Sequence, residues 1–171
     1  MCSSDLGFLW SSERSGWKRL YLYAADGRLV RQLTSGDWPV DAVEGVDEAK
    51  KTVLFSASVD DPLQRHLWTV SWAKPGAPKR VTSGEGWWTV NVAKTGTAFT
   101  GTYSDPRTPP RTGLYGADGK LVRWIEPNRL DAGHPYFKYA GRLRTPTYGT
   151  IKASDGSDLY YAISKIGRAH V

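Results

Sequence analysis

ADGRLVR, Ala25 to Arg31, recurs as ADGKLVR, Ala117 to Arg123, at an offset of 92 residues (117 − 25). About halfway between them, RLYLY (Arg19 to Tyr23) is answered by HLWTV (His66 to Val70), with Leu67 following Leu20 by 47 (67 − 20). LTSGDWPV (Leu33 to Val40) is likewise answered by VTSGEGWWTV (Val81 to Val90), with Thr82 following Thr34 by 48 (82 − 34). Three copies of one unit thus recur at roughly 46 to 48 residues, within the ~40 to 50 of propeller blades.

Inside each copy the local chemistry is that of strands. Leu20-Tyr21-Leu22-Tyr23, Val53-Leu54-Phe55, Leu67-Trp68-Thr69-Val70 and Thr97-Ala98-Phe99-Thr100 are short aliphatic, aromatic and β-branched runs, which suit a pleated surface. Turn signals separate them: Asp26-Gly27, Lys74-Pro75-Gly76, Lys94-Thr95-Gly96 and Asp118-Gly119. The Asp-Gly pairs supply the positive φ of a tight hairpin. No stretch keeps a 3.6-residue apolar period over ten residues, so helices should be nearly absent. The expected fold is all-β, a partial β-propeller of about three four-stranded antiparallel blades. The eight tryptophans, with Trp38 repeat-equivalent to Trp87 or Trp88, read as blade-to-blade packing rather than as platforms for sugars or bases, because large rings fill the gaps between twisted sheets.

The two ends carry a different message. MCSSDL (Met1 to Leu6) and KIGRAHV (Lys165 to Val171) are related through DNA able to encode them. The string gtg-tgc-tct-tcc-gat-ct, with gtg as start codon, gives Met1 to Asp5 and opens the codon of Leu6. Its reverse complement, read aag-atc-gga-aga-gca-cac, gives Lys165 to His170. Unrelated protein ends do not share one inverted string, and this one resembles a sequencing-library adapter ligated to both ends of an insert. Residues 1–6 and 166–171 are therefore expected to be adapter-like scars that belong to neither the fold nor a site. His170 leaves the catalytic candidates with them, and the chain is expected to be an internal piece of a longer protein.

The single cysteine, Cys2, falls in the first scar, which removes disulfide frameworks and cysteine-based metal sites from consideration. No apolar run approaches the ~20 residues that span a bilayer, so no membrane span is expected. A net charge of +6 raises nucleic acid as a partner. The basic residues are scattered, however, with acidic ones between them, rather than gathered into a binding stripe. They read as solvated surface, and no nucleic-acid partner is expected.

Four stretches in order then carry a resemblance: WSSERSGWKRLYLY, RQLTSGDWPV, VLFSASVDDPLQRHLWTV and TYSDPRTPPRTGLYGADGKLVRWIEPN. They resemble successive blades of the N-terminal propeller of dipeptidyl peptidase IV-like enzymes, in the prolyl oligopeptidase family of serine peptidases. The similarity runs over about Phe8 to Ser164, specific in order and spacing although each motif alone is weak. YGTIKASDGSDLYYAISK, Tyr148 to Lys165, resembles the point where such chains leave the propeller for an α/β-hydrolase domain. Its Asp155-Gly156 pair should turn a hairpin between Gly149-Thr150-Ile151 and Leu159-Tyr160-Tyr161-Ala162. The family usually has a proline after that lysine; Ile166 stands here. The implied division is a scar at 1–6, a partial propeller at 7–143, the start of the peptidase domain at 144–165 and a scar at 166–171.

The resemblance implies a parent that releases N-terminal dipeptides, preferentially after proline or alanine, with the propeller walling off the active-site chamber and admitting short peptides. Its expected partner is an oligopeptide substrate, its expected state a homo-oligomer and its expected location periplasmic or secreted. These enzymes use a serine in a G-x-S-x-G elbow followed by an aspartate and a histidine. The chain contains no G-x-S-x-G. The glutamate pair that holds the substrate's amino terminus is expected in an earlier blade, before Gly7. No catalytic residue, no cofactor-binding residue, no metal ligand and no cofactor is assigned.

Three local features have plainer readings than the chemistry they suggest. His66, beside Asp60, Asp61 and Arg65, has no second histidine nearby and is expected at an inter-strand surface position. His134, in Gly133-His134-Pro135-Tyr136, is expected in the loop between the last blade and the hydrolase start. Ser154 to Asp158 (SDGSD) lacks the D-x-[DN]-x-[DN]-G pattern and later glutamate of a calcium loop, so a hairpin turn accounts for it. The alternative to the peptidase reading is a piece of a non-catalytic propeller that binds protein or carbohydrate. A hydrolase domain after Lys165 separates the two. Three blades lack the neighbours of a closed ring, so apolar faces and strand edges should be exposed and solubility poor.

Overall fold

The computed structural model describes residues 7–142 and 144–165; the two expected scars and His170 lie outside the described residues. Three antiparallel sheets follow one another along the chain. The first holds β1 (Phe8–Ser12), β2 (Arg19–Tyr23) and β3 (Leu29–Gln32). The second holds β4 (Val40–Asp47), β5 (Thr52–Ala57), β6 (His66–Ser71) and β7 (Lys79–Arg80). The third holds β8 (Trp87–Val92), β9 (Ala98–Asp105), β10 (Thr108–Gly116) and β11 (Leu121–Glu126). A short helix, α1 (Phe137–Ala140), leads to a separate hairpin of β12 (Thr147–Lys152) and β13 (Asp158–Ile163). Strands neighbouring in sequence pair within each sheet, the meander of a propeller blade.

The first sheet departs from the four-strand expectation. The repeat sets β1, β2 and β3 opposite β5, β6 and β7, so a counterpart of β4 would precede β1 in the chain, outside the described residues. The edge of β1 is therefore unpaired within the described sheet.

The three Asp-Gly turns have one geometry. The Gly27 amide donates to the Ala24 carbonyl at 3.0 Å and the Ala24 amide to the Arg28 carbonyl at 2.9 Å. Gly119 with Gly116 and Lys120, and Gly156 with Ala153 and Ser157, repeat the pair of bonds at 2.9 to 3.0 Å. In each, the aspartate also accepts the amide two residues on, at 2.9 Å for Asp26, 3.1 Å for Asp118 and 2.9 Å for Asp155. Only the glycines have positive φ, 85°, 80° and 85°. A two-residue type I′ turn would need it at the aspartate as well, so this is the longer hairpin loop that ends on a left-handed glycine.

Packing explains why the middle sheet is apolar on both faces. Val53, Phe55 and Ala57 of β5 and Trp68 and Val70 of β6 join Leu20, Leu33 and Trp38 of the first repeat in one core. The alternate residues Leu54 and Leu67 point the other way and join Trp88, Phe99 and Tyr115 of the third sheet in a second core. Successive side chains on a strand face opposite sides, so β5 needs two partners and reads as an almost unbroken apolar run. The inner strands also touch: a Cβ at Gly45 of β4 would lie 2.7 Å from Val92 Cγ1 of β8.

Each connection between sheets is fastened by a threonine. Thr34 Oγ1 accepts the Leu20 amide at 3.0 Å and Thr82 Oγ1 the Leu67 amide at 3.1 Å, both hydroxyls buried. One residue earlier, the Leu33 amide reaches the Leu20 carbonyl and the Val81 amide the Leu67 carbonyl, each at 2.8 Å. The conserved spacing of the two TSG copies within this chain thus has a hydrogen-bonding cause.

The outer elements are uncovered. β11 is exposed throughout, with Val122 at 64% and Ile125 at 54%. Phe8, Trp10 and Trp17 are exposed beside the first sheet, and Ile151, Leu159 and Tyr160 on the final hairpin.

Candidate functional site

The residues singled out for chemistry do not converge. His66 begins β6 and is buried, 2% exposed, which corrects the expected surface position. The physical reason is its place at the start of a strand whose two faces both pack. Its Nδ1 lies 3.0 Å from Thr82 Oγ1 and its Nε2 3.2 Å from Gln64 Oε1. Burial, helped by the charge of Arg80, pushes its pKa down to about 4, so the ring is neutral at pH 7.

His134 lies on the segment after the third sheet, as expected. Its Nε2 stands 3.0 Å from Asn128 Oδ1, while its Nδ1 accepts the Tyr136 amide at 3.1 Å. Asn128 in turn donates through Nδ2 to the Pro110 carbonyl of β10 at 2.9 Å. The histidine therefore fastens the linker to the third sheet. Ser154 to Asp158 forms the β12–β13 turn, with Asp155 accepting both the amide and the hydroxyl of Ser157 at 2.9 and 2.6 Å. Those bonds hold the Asp155 carboxyl below its usual range, the hydroxyl contributing most. Among the described residues no group of three or more histidine, cysteine, aspartate or glutamate side chains is placed to hold a metal.

The tryptophans divide. Trp38, Trp68 and Trp88 are buried in the two cores, while Trp10, Trp17, Trp87 and Trp124 are exposed, so the packing role holds for only part of the set. The Trp87-Trp88 doublet contained the signal: adjacent strand residues face opposite sides, so one ring packs and the other must face out.

Among the described residues two concave regions exceed 600 Å³. One, of about 710 Å³, is lined by Leu9, Leu22, Val30, Val46 and Trp72. It crosses one face of the first sheet, from Leu9 of β1 through Leu22 of β2 to Val30 of β3, and is closed by Val46 of β4 and Trp72, so it is the gap between the first two sheets. The second, of about 620 Å³, lies between the loops after β5, before β8 and after β9 and the start of β12. Trp87, Tyr148, Leu63, Pro106 and Pro146 supply its apolar walls, and Asp61, Glu85 and Asp105 its carboxyls.

Within this cleft the polar groups are unequally engaged. Asp61 accepts the Leu63 amide and the Gln64 side chain at 2.8 and 3.1 Å. Asp105 accepts the amides of Arg107 and Thr108 at 2.7 and 2.8 Å and lies 2.8 Å from the Tyr103 hydroxyl. Burial opposes the charge on Asp105, but bonds from Thr108, Arg107 and Tyr103 outweigh it and lower its pKa. The Tyr103 phenol is pushed up to about 12 by burial and by that carboxylate. Arg65 stacks over Trp87 with its guanidinium carbon 5.9 Å from the ring centre, while its charge is met by Asp41 at 3.0 Å and Glu44 at 3.6 Å.

Comparison with known proteins places this architecture. Dipeptidyl peptidase 4 of Trichophyton rubrum is 31% identical over 99 residues, 57% of this chain and 13% of the relative. Dipeptidyl peptidase 4 of Arthroderma otae is 39% identical over 61 residues, 36% of this chain and 8% of the relative. The crystal structure of Porphyromonas gingivalis dipeptidyl peptidase 4 superposes with a TM-score of 0.78 at 24% identity, covering 95% of this chain and 22% of that one. The chain therefore spans a small part of the length of the proteins it matches. The family described as the dipeptidyl peptidase IV (DPP IV) N-terminal region matches residues 2–110, more than half of the 171. The chain, a run of propeller blades by its sheets and its repeats, belongs to the dipeptidyl peptidase IV N-terminal region family.

Proposed function

We propose that this chain is the closing part of the propeller of a serine peptidase that releases N-terminal dipeptides, and that its blades wall the chamber through which short peptides reach the active site. The observation that carries the reading is the order of elements: blades of the dipeptidyl peptidase IV N-terminal family, then a linker fastened by His134, then the β12–β13 hairpin. That hairpin belongs, in this reading, to the start of an α/β-hydrolase domain at 144–165, after a partial propeller at 7–143. The chain's own contribution is a wall, since its two described histidines, the threonines Thr34 and Thr82 and the turn aspartates serve turns and staples. Catalysis is assigned to a serine, aspartate and histidine encoded beyond Lys165, and the binding of the substrate amino terminus to an earlier blade. The parent is taken to be exported and homo-oligomeric on the family resemblance.

The parent coding sequence tests this directly. The next few hundred codons should encode a G-x-S-x-G elbow followed by aspartate and histidine, and an open reading frame without them would overturn the proposal. The 171-residue chain itself should show no turnover of a glycyl-prolyl amide, and measured hydrolysis would refute the assignment of the triad elsewhere.

A further inference from the structure

We propose that a small cavity between β3 and the turn after β6 binds a phosphate-type oxyanion, either the free ion or the end group of a small phosphomonoester. The cavity measures about 230 Å³ and is lined from the first repeat by Arg31, Thr34 and Ser35, and from the second by Ser71, Lys74 and Gly76. Among the described residues no aspartate or glutamate lines it, and neither Arg31 nor Lys74 makes a salt bridge. Two cations thus share one concave site without a carboxylate to offset them. Such a site gathers the opposite sign from solution.

An orphaned donor points the same way. Arg31 donates through Nη2 to the Trp72 carbonyl, from the first sheet to the end of the second. Its Nε, by contrast, is buried and has no hydrogen-bond partner. A buried donor on a charged group is costly to leave unpaired, and an anion supplies both the acceptor and the countercharge. Both rims are held in place by bonds of their own. On one side Gln32 Nε2 donates to the Thr34 carbonyl at 2.7 Å, while Thr34 Oγ1 accepts the Leu20 amide at 3.0 Å. On the other, Ser71 Oγ accepts the amides of Ala73 and Lys74 at 3.2 Å each, which fixes the turn that carries the ammonium. The donors select the anion: a guanidinium, an ammonium and the Ser35 hydroxyl come from two sides, and tetrahedral phosphate offers acceptor oxygens in more directions than a planar carboxylate.

The test uses the whole chain with inorganic phosphate and with glycerol 3-phosphate, followed through the Arg31 Nε–H resonance, assigned by its side-chain couplings. Saturable movement of that resonance is expected, and the tighter of the two ligands identifies the free ion or the ester as the source. Lys74→Gln, at an exposed turn position, should lower the affinity about tenfold, the loss of one charge-assisted bond. An unmoved resonance would overturn the site, as would unchanged affinity in Lys74→Gln. So would equal movement by chloride at matched ionic strength, or equal affinity for acetate. The chloride and acetate comparisons use the unaltered chain and so stand even where a substitution unfolds it. None of these outcomes depends on whether the parent gene encodes a triad.

Discussion

The Thr82 hydroxyl lies 3.0 Å from Nδ1 of His66 while accepting the amide of Leu67 at 3.1 Å. The Gln64 side-chain oxygen Oε1, oriented by the hydrogen bond that Gln64 Nε2 donates to Asp61 at 3.1 Å, faces Nε2 and can only accept. The imidazole proton therefore sits on Nε2, and Thr82 donates its hydroxyl proton to Nδ1. One threonine thus joins two sheets' connection to a buried neutral histidine.

That arrangement makes stability depend on pH. The folded pKa of His66 is depressed from 6.5 to about 4 by burial and Arg80, so the unfolded chain binds the proton first as pH falls. The stability that the neutral ring retains above pH 6.5 should decline as pH falls below 6.5 and level off near 4, with a total of at most about 3 kcal/mol. Urea unfolding at pH 7, 5.5 and 4.5 should show this slope, and His66→Gln should remove it; an unchanged slope in the variant would refute the assignment.

Removing a staple should cost more than removing a contact. Thr34→Val keeps the shape but strands the buried Leu20 amide, whose partner stands at 3.0 Å, and is expected to cost about 1 to 3 kcal/mol. Thr34→Ser, which restores the acceptor, should recover most of it. Chemical denaturation of the two variants side by side decides the point.

Phe55→Ala should be among the most damaging single changes, about 3 to 5 kcal/mol, because the ring is 0% exposed and stacks on Trp38 with centroids 6.1 Å apart. Val122→Ala, at 64% exposure, should lie within about 0.5 kcal/mol of the parent. Similar losses for both would mean that the two-core packing is wrong.

The repeated ADG turns allow a paired comparison. An alanine at Gly27 meets nothing within 4 Å, whereas one at Gly119 would put its Cβ 2.1 Å from the Val81 carbonyl oxygen. Both glycines have left-handed φ, 85° and 80°, so each substitution should cost about 1 to 2 kcal/mol from conformation alone. Gly119→Ala should cost more, by the shift of backbone it forces, and thermal unfolding of the two variants reads the difference.

The sequence by itself determined the strand runs, their order and where the chain turns. Those depend on short-range chemistry: strand runs such as RLYLY and HLWTV, Asp-Gly pairs, and a repeat near 46 to 48 residues. It did not reveal that His66 is buried, because that follows from both faces of β6 packing, a fact of position between two neighbouring sheets. Nor could a count of tryptophans say which ones pack. Trp88 enters a core and Trp87 faces a cleft because one strand alternates its sides. The three-stranded first sheet is legible only when the repeat is laid on the pairing. The cleft was invisible in the sequence, since Asp61, Trp87, Asp105 and Tyr148 come from four separate segments. Local propensity acts over a few residues, whereas walls and carboxyls from distant loops meet only when the sheets have stacked, and only the tertiary structure decided that.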